Sequence, residues 1–439
     1  MRGPVDPQQP PFLGPAARLL GDTSLAAIAA LLHAGPPTQR TSIAGADYLV
    51  SADPEVIRRV LVDRADNYVK DTRLMAPFLG LLGEGLLTSE GPLWRRERGL
   101  LAPAFHSEAL RVVADAAHRA VARASARLDE HADRGEAVDL GAWSRRYTLQ
   151  VVAGAALSLA PEVCDEALAH LYEPIVAEAN RRVWLPLRAA LPLPGGDRHD
   201  RALQALVQLL RAHVGARRGQ GPGDGDMLDL LIAADVDDRQ ICDELRTMLF
   251  AGHETTSAAL VWTLHALMGQ PAWFERLRVE ADEVLAGGPP GLAELRRLDL
   301  AGACFKEALR LYSVVPVATR RALAADTLAD LPVAAGDLVL LHLQALHHDP
   351  RHWDAPAEFR PQRFVGAPPG PTRSWLPFLV GPRSCIGQNF ALITARVALA
   401  QLARRYDLTP DPGNRGERHR FNIPTGPAGK IAAVVTRRG

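Results

Sequence analysis

Apolar residues recur every three to four positions along stretches 108–131, 203–216, 240–268, 273–286 and 298–312. That spacing lines one face of a helix. A further mostly apolar run, 388–402, follows a glycine-bracketed loop and also predicts a helix. Strand patterns are short and few. Tyr48-Leu49-Val50 stands before a helix start at Ala52-Asp53-Pro54, Leu338-Val339-Leu340-Leu341 follows Gly336, and 431–436 reads as a last short strand. The pattern predicts a mainly α protein with small β-sheets, not a β-α-β array. With no internal repeat and no convincing linker, one domain over 1–439 is expected, preceded by a proline-rich segment 1–15.

Composition narrows this picture. The chain has 439 residues, 47% of them hydrophobic and 23% charged, so it can bury a large core. Its 50 basic and 50 acidic side chains cancel, which argues against nucleic acid as a main partner. Cys164, Cys242, Cys304 and Cys385 lie far apart, so neither a disulfide framework nor a zinc site is indicated and a reducing cytoplasm is expected. The start of the chain lacks a basic and then apolar secretory pattern. No run of about 18 apolar residues occurs, so no membrane span is predicted.

Two stretches carry chemistry. Phe378-Leu379-Val380-Gly381-Pro382-Arg383-Ser384-Cys385-Ile386-Gly387 sets one cysteine in a tight loop before a helix. A thiolate is a strong iron ligand, the glycines permit a tight turn and close approach to a flat ring, and the helix start favours an anion. Phe250-Ala251-Gly252-His253-Glu254-Thr255-Thr256-Ser257 puts polar residues inside the long apolar helix 240–268. A zinc-protease H-E-x-x-H reading fails because Ser257 stands where the second histidine belongs. A polar kink satisfied by back-bonding hydroxyls remains open. Gly219 to Gly225 superficially resembles a dinucleotide loop, but it follows a helix and reads as a surface connection.

The cysteine stretch resembles the haem-thiolate loop of the cytochrome P-450 family, Phe-x-x-Gly-x-Arg-x-Cys-x-Gly, with every fixed position filled. The second stretch resembles the family's oxygen-activating helix, (Ala/Gly)-Gly-x-(Asp/Glu)-Thr-(Thr/Ser). Glu307-Ala308-Leu309-Arg310 with Pro361-Gln362-Arg363-Phe364 resembles its buried ionic lock, and Trp94-Arg95-Arg96-Glu97-Arg98 its Trp-x-x-x-Arg helix. The resemblance covers the chain from about Pro10 onward, with four motifs in the family's order. It implies the triangular-prism haem domain of that family.

The resemblance also implies a site. Cys385 would ligate the iron of haem b, with Phe378, Gly381, Arg383 and Gly387 shaping its loop. Trp94, Arg98, Arg320 and Arg383 would meet the haem propionates, with Arg321 as an alternative to Arg320. Glu254 would relay protons and Thr255 would hold a hydrogen bond to the oxygen ligand. Ala251 and Gly252 would leave room for it, helped by a local opening of the helix, and His253 would point away. Glu307, Arg310 and Arg363 would be structural. Apolar walls are expected in 74–87, 175–193, at Met248, Ala251, Val315 and Val317, and near Ile423. No cation is obviously placed to anchor a substrate carboxylate, with Arg181 and Arg182 in the lid as the alternative.

The function implied is monooxygenation of an apolar small molecule, such as a terpenoid, fatty acyl chain or polyketide-like metabolite. O2 is the co-substrate. Electrons would come from NAD(P)H through a separate ferredoxin and ferredoxin reductase, because no reductase domain follows the last strand. Arg95 and Arg96 could dock an acidic donor. The acid–threonine pair and the Cys-Ile-Gly-Gln-Asn-Phe-Ala ending resemble the fatty-acid-hydroxylase and eukaryote-like branches. A peroxygenase and a haem sensor or carrier are the rival readings. The first typically replaces the pair kept here as Glu254-Thr255, and the second would not need it.

Overall fold

The structure is a computed structural model that describes residues 21–43, 46–71, 78–106, 109–164, 168–184, 196–220, 226–285, 291–366, 373–414, 419–420, 422 and 424–438. The principal helices are Gly91–Leu101 (α1), Leu110–Arg134 (α2), Leu140–Ala156 (α3), Ala169–Trp184 (α4), Gly196–Gln220 (α5), Asp238–Met268 (α6), Pro271–Val284 (α7), Asp299–Tyr312 (α8) and Gln388–Arg405 (α9). The five helical stretches predicted from periodicity each fall on one of these, with ends displaced by a few residues where capping decides. Asp237 accepts the Gln240 N–H at 3.0 Å and so starts α6 before its first apolar residue. Asp139 does the same for α3 through Gly141 and Ala142. Gly135, at φ +63°, ends α2 in the left-handed conformation that glycine adopts without strain.

The helices form one layer of the core around α6. Its residues 259–264 are buried on every side, and Trp262 is fully buried. Helix α3 lies along α6, and hydroxyls join them. Ser144 Oγ donates to the Ser257 carbonyl at 3.0 Å, and Thr148 Oγ1 to the His253 carbonyl at 3.3 Å. Gly252 is small because α3 is close. A Cβ there would lie 2.9 Å from Val152 Cγ2. This corrects the expectation that Gly252 makes room for oxygen. The expected opening of the helix is also not seen, since α6 is α-helical throughout.

A second core cluster lies under a five-stranded sheet of Thr38–Ile43 (β1), Ala46–Ser51 (β2), Tyr68–Lys70 (β3), Val317–Ala322 (β4) and Leu338–His342 (β5), in the order β1-β2-β5-β4-β3. β5 is buried along its whole length, as an uninterrupted apolar strand between covered faces should be. Only β2 and β5 are parallel; β3 pairs antiparallel with β4 and sets Lys70 opposite Arg320. The last strand, Ala432–Arg437, joins a separate small sheet with Ala137–Asp139 and Tyr406–Pro410. The mainly α fold with small sheets is as predicted.

Candidate active site

The cysteine loop is built by its backbone. The Cys385 N–H donates to the Phe378 carbonyl at 2.8 Å and the Ser384 N–H to Gly381 at 3.0 Å, closing a compact turn ahead of α9. Gly381, at φ +78°, is required twice over, because a Cβ would fall 1.9 Å from the Leu61 carbonyl oxygen. Phe378 packs edge-on against Trp375 at 6.1 Å. Cys385 is the one exposed cysteine of the four. Yet burial is what pushes its thiol pKa up, against a Gly387 N–H and the Arg98 guanidinium that favour the thiolate. Its sulfur is accessible even though the surrounding protein disfavours the thiolate.

Cations crowd beside it without enough anions. Arg320 is 7% exposed, and its Nη1 donates to the Thr319 carbonyl at 2.8 Å. Strand alternation sends Arg321 to the opposite face. Arg383 reaches the Ser89 carbonyl at 3.0 Å, pairs with Glu90 and stacks on Trp94 at 3.8 Å. Burial lowers the pKa of Arg98, Arg320 and Arg383, the last to about 10. Lys70 completes the group. Burial, then Arg383 and Arg320, push its amine down to about 7, and Glu90 only partly compensates. Arg320 is buried and Lys70, Arg98 and Arg383 are half-buried near Glu90, a local surplus of positive charge that a dianionic group such as the two propionates of haem would fit. Sequence reading missed Lys70, because a lysine ending a three-residue strand carries no local mark of burial.

The middle of α6 also opens inward. Ala251, Glu254, Thr255 and Ala258 are half-buried within an otherwise buried helix. Ala251, Thr255 and Ala258 share one face. Thr255 Oγ1 donates to the Ala251 carbonyl at 2.6 Å. Glu254 keeps 16% of its side chain accessible and lies 3.2 Å from His253 Nδ1. His253 itself is 3% exposed and meets the Tyr172 ring edge-on at 5.2 Å.

The ionic lock is fully assembled. Arg310 and Glu307, both inaccessible, form two parallel 2.8 Å hydrogen bonds. Arg363 Nε reaches Glu307 Oε1 at 3.3 Å, and the Arg360 N–H reaches the same oxygen at 2.9 Å. Arg310 also donates to the carbonyls of His347, Pro356 and Glu358. A buried ion pair needs such additional partners. His347 extends the lock to the cysteine loop, accepting the Leu376 N–H at 2.9 Å. Nothing in the sequence singled it out.

The pocket walls divide. Val315 is exposed and Val317 is half-buried. Met248 is in the core, and Ile175 is wholly buried among core residues, so it is packing and not a wall. Arg181 and Arg182 both pair with Glu178 on their own helix, which removes them as free anchors for a carboxylate. Ile423 and residues 74–77 and 185–193 lie outside the described residues. A cleft of about 980 Å³ at the C-terminal end of α6, lined by His265, Trp273, Tyr312 and Phe359 among others, contains neither Cys385 nor Thr255. It is not the site of this chemistry.

The cytochrome P450 family model matches residues 6–426. The chain is 30% identical over 395 residues to the Arabidopsis thaliana chloroplastic protein LUTEIN DEFICIENT 5, covering 83% of this chain and 66% of that protein. It is 30% identical over 383 residues to the cyclooctat-9-en-7-ol 5-monooxygenase of Streptomyces melanosporofaciens, covering 83% and 81%. The crystal structure of a cytochrome P450DA heme domain superposes with a TM-score of 0.84 at 25% identity, covering 99% of this chain and 97% of that one. An accessible thiol in its glycine-bracketed loop, a surplus of cations beside it and a family model spanning nearly the whole chain lead to one conclusion: this chain belongs to the cytochrome P450 family of haem-thiolate monooxygenases.

Proposed function

We propose that the chain holds haem b through Cys385 and inserts one atom of O2 into an apolar small molecule, with electrons drawn from NAD(P)H through a separate ferredoxin and its reductase. The observation that carries this reading is the group Lys70, Arg98, Arg320 and Arg383, four cations beside the accessible sulfur of Cys385 with Glu90 as their carboxylate. Bound there, haem supplies the binding and reductive activation of dioxygen.

The remaining work falls to side chains. Trp94, Arg98, Arg320, Arg383 and Lys70 hold the propionates. The Gly387 N–H and Arg98 keep charge on the sulfur. Phe378 and Gly381 keep its loop compact. Ala251 leaves the oxygen side unobstructed. Glu254, partly accessible, collects a proton at its carboxylate, and Thr255 Oγ1 passes it on by turning away from the Ala251 carbonyl. Glu307, Arg310 and Arg363 hold the framework behind the loop. Arg95 and Arg96, exposed on α1, offer a cationic face to an acidic electron donor.

Met248, Ala251, Val315 and Val317 supply apolar contact, and a related protein is named for oxidation of cyclooctat-9-en-7-ol. A terpenoid substrate is therefore favoured over a fatty acid, for which no free cation among the described lid residues offers an anchor.

Reduced protein exposed to carbon monoxide should give the red-shifted Soret band of thiolate ligation, absent in Cys385→Ala. Thr255→Ala should keep the band but divert NAD(P)H consumption to peroxide. A band at the histidine-ligated position, or undiminished coupling in Thr255→Ala, would overturn the assignment. Spin-state titration with terpenoids and fatty acids in parallel tests the substrate class.

A further inference from the structure

Glu97 of α1 and Glu244 of α6 are buried against each other, 3% and 0% exposed. One side-chain amide, that of Gln240, reaches both carboxyl groups, Glu97 Oε1 and, at 3.5 Å, Glu244 Oε1. Among the described residues, no arginine or lysine is hydrogen-bonded to either. The remaining partners are neutral donors. Ser89 Oγ donates to Glu97 Oε2 at 2.6 Å, the Gln240 amide donates to Glu97 Oε1, and the Leu86 N–H donates to Glu244 Oε2 at 3.1 Å. Two carboxylates in contact cannot both stay ionised in such surroundings. Glu97 accepts two close donors and Glu244 one close and one distant donor, so the proton belongs on Glu244 and Glu97 keeps acceptor capacity to share it.

This contact lies where three parts of the site meet. Trp94 and Arg98 are on the same helix as Glu97. Glu254 and Thr255 lie on the same helix as Glu244. The loop between them is held by the same turn of α6: the Glu84 N–H reaches Asp243 at 3.0 Å, and Gln240 donates to the Glu84 carbonyl at 3.1 Å. Its glycines leave no slack, since a Cβ on Gly83 or Gly85 would lie 2.2 Å from Asp243 or Thr247.

We propose that Glu97 and Glu244 share one proton, and that this proton fastens the propionate-binding helix to the oxygen-activating helix. Both glutamates are positioning residues, and the grip on the cofactor is pH-sensitive. The link to cofactor retention rests on the haem reading above; the shared proton does not.

Burial and the charge of Glu97 push Glu244 up to about 8, and burial raises Glu97 as well. The other charged groups around the pair are Arg96 on α1, Lys70 on β3, Asp243 with Arg246 on α6, Glu84 with Arg239 across the loop, and Asp226 and Asp229 held by Arg217. The folded-state value of Glu244 lies above its unfolded value. Its stabilisation is therefore complete below the unfolded pKa and is lost as pH rises toward about 8. Above that, two negative carboxylates push α1 and α6 apart.

The test uses the holoprotein and its Glu244→Gln and Glu97→Gln variants, read in two ways. Haem transfer to apomyoglobin is timed between about pH 6.5 and about pH 9.5. The infrared carboxylic C=O band is followed over the same range. The wild type should lose haem about tenfold faster at the alkaline end and lose the band in step. Glu244→Gln keeps a neutral donor to Glu97 at every pH, so its haem loss should rise less with pH than in the wild type, with only the Lys70 contribution left, and the band should be missing. Glu97→Gln should remove the repulsion and likewise flatten the profile. An unchanged alkaline rise in Glu244→Gln, or a wild-type band that titrates without any change in haem loss, overturns the proposal. Failure of the haem-thiolate reading would register separately, as the absence of a red-shifted carbon monoxide band at every pH, while the infrared titration would still decide whether the proton is shared.

Discussion

His347 accepts the backbone N–H of Leu376 through Nε2 at 2.9 Å, while its Nδ1 lies 3.0 Å from Ser313 Oγ. The ring is therefore neutral with its proton on Nδ1, donated to Ser313. It bridges the end of α8 to the segment that leads into the cysteine loop. Burial, with His348 and Arg310 nearby, pushes its pKa down to about 3. The value is below that of the unfolded chain, so the stabilisation is complete above the unfolded pKa near 6.5 and is lost as pH falls toward 3. His347→Leu removes both bonds and leaves the Leu376 N–H buried without a partner. A loss of about 1–3 kcal/mol is expected in urea unfolding, with a flatter acid limb than wild type.

Lys70 should report cofactor binding as proton uptake. Its amine sits at about 7 beside Arg383 and Arg320 without the anion, and a bound dianion raises it. Haem affinity should therefore fall as pH rises from 7 to about 9, with a slope approaching one proton. Lys70→Met should bind haem about tenfold more weakly near neutral pH and lose that slope. Fluorescence quenching titrations at several pH values measure both.

Gly252 answers to Val152, not to oxygen. Gly252→Ala should cost about 1–3 kcal/mol through overpacking, because its Cβ would meet Val152 Cγ2 at 2.9 Å. Val152→Ala in the same protein should recover most of that loss. A double-mutant cycle in thermal unfolding measures the coupling. A Gly252→Ala protein of normal stability would return the residue to the oxygen site.

Breaking the lock should strongly destabilise the fold behind the cysteine loop. Arg310→Lys cannot reproduce the two parallel bonds to Glu307 or the donors to three carbonyls. Removing one partner of such a buried pair costs about 3–5 kcal/mol, which urea unfolding and the yield of haem-loaded protein would register.

Much of this was legible in the chain. Helices α2, α5, α6, α7, α8 and α9 showed themselves through spacing, while α3 and α4 did not; Cys385, Glu307, Arg310 and Thr255 stood out through motifs, because those features repeat over short distances. Arg320 was chosen over Arg321 on order alone, and strand alternation places Arg320 inward. Arg181 and Arg182 were misread because Glu178, their partner on the helix, looked like one more surface acid. Gly252 was given to the oxygen side because sequence does not say which neighbour a helix face meets.

The sequence by itself determined the mainly helical class, the family and the cysteine, since periodicity and local motifs are properties of neighbouring residues. Only the tertiary structure decided that Lys70 joins Arg98, Arg320 and Arg383, that His347 holds the cysteine loop, and that Glu97 meets Glu244. Each pair is far apart along the chain and ordinary in its local surroundings. Burial and charge proximity, which give these side chains their chemistry, arise only when distant elements pack together.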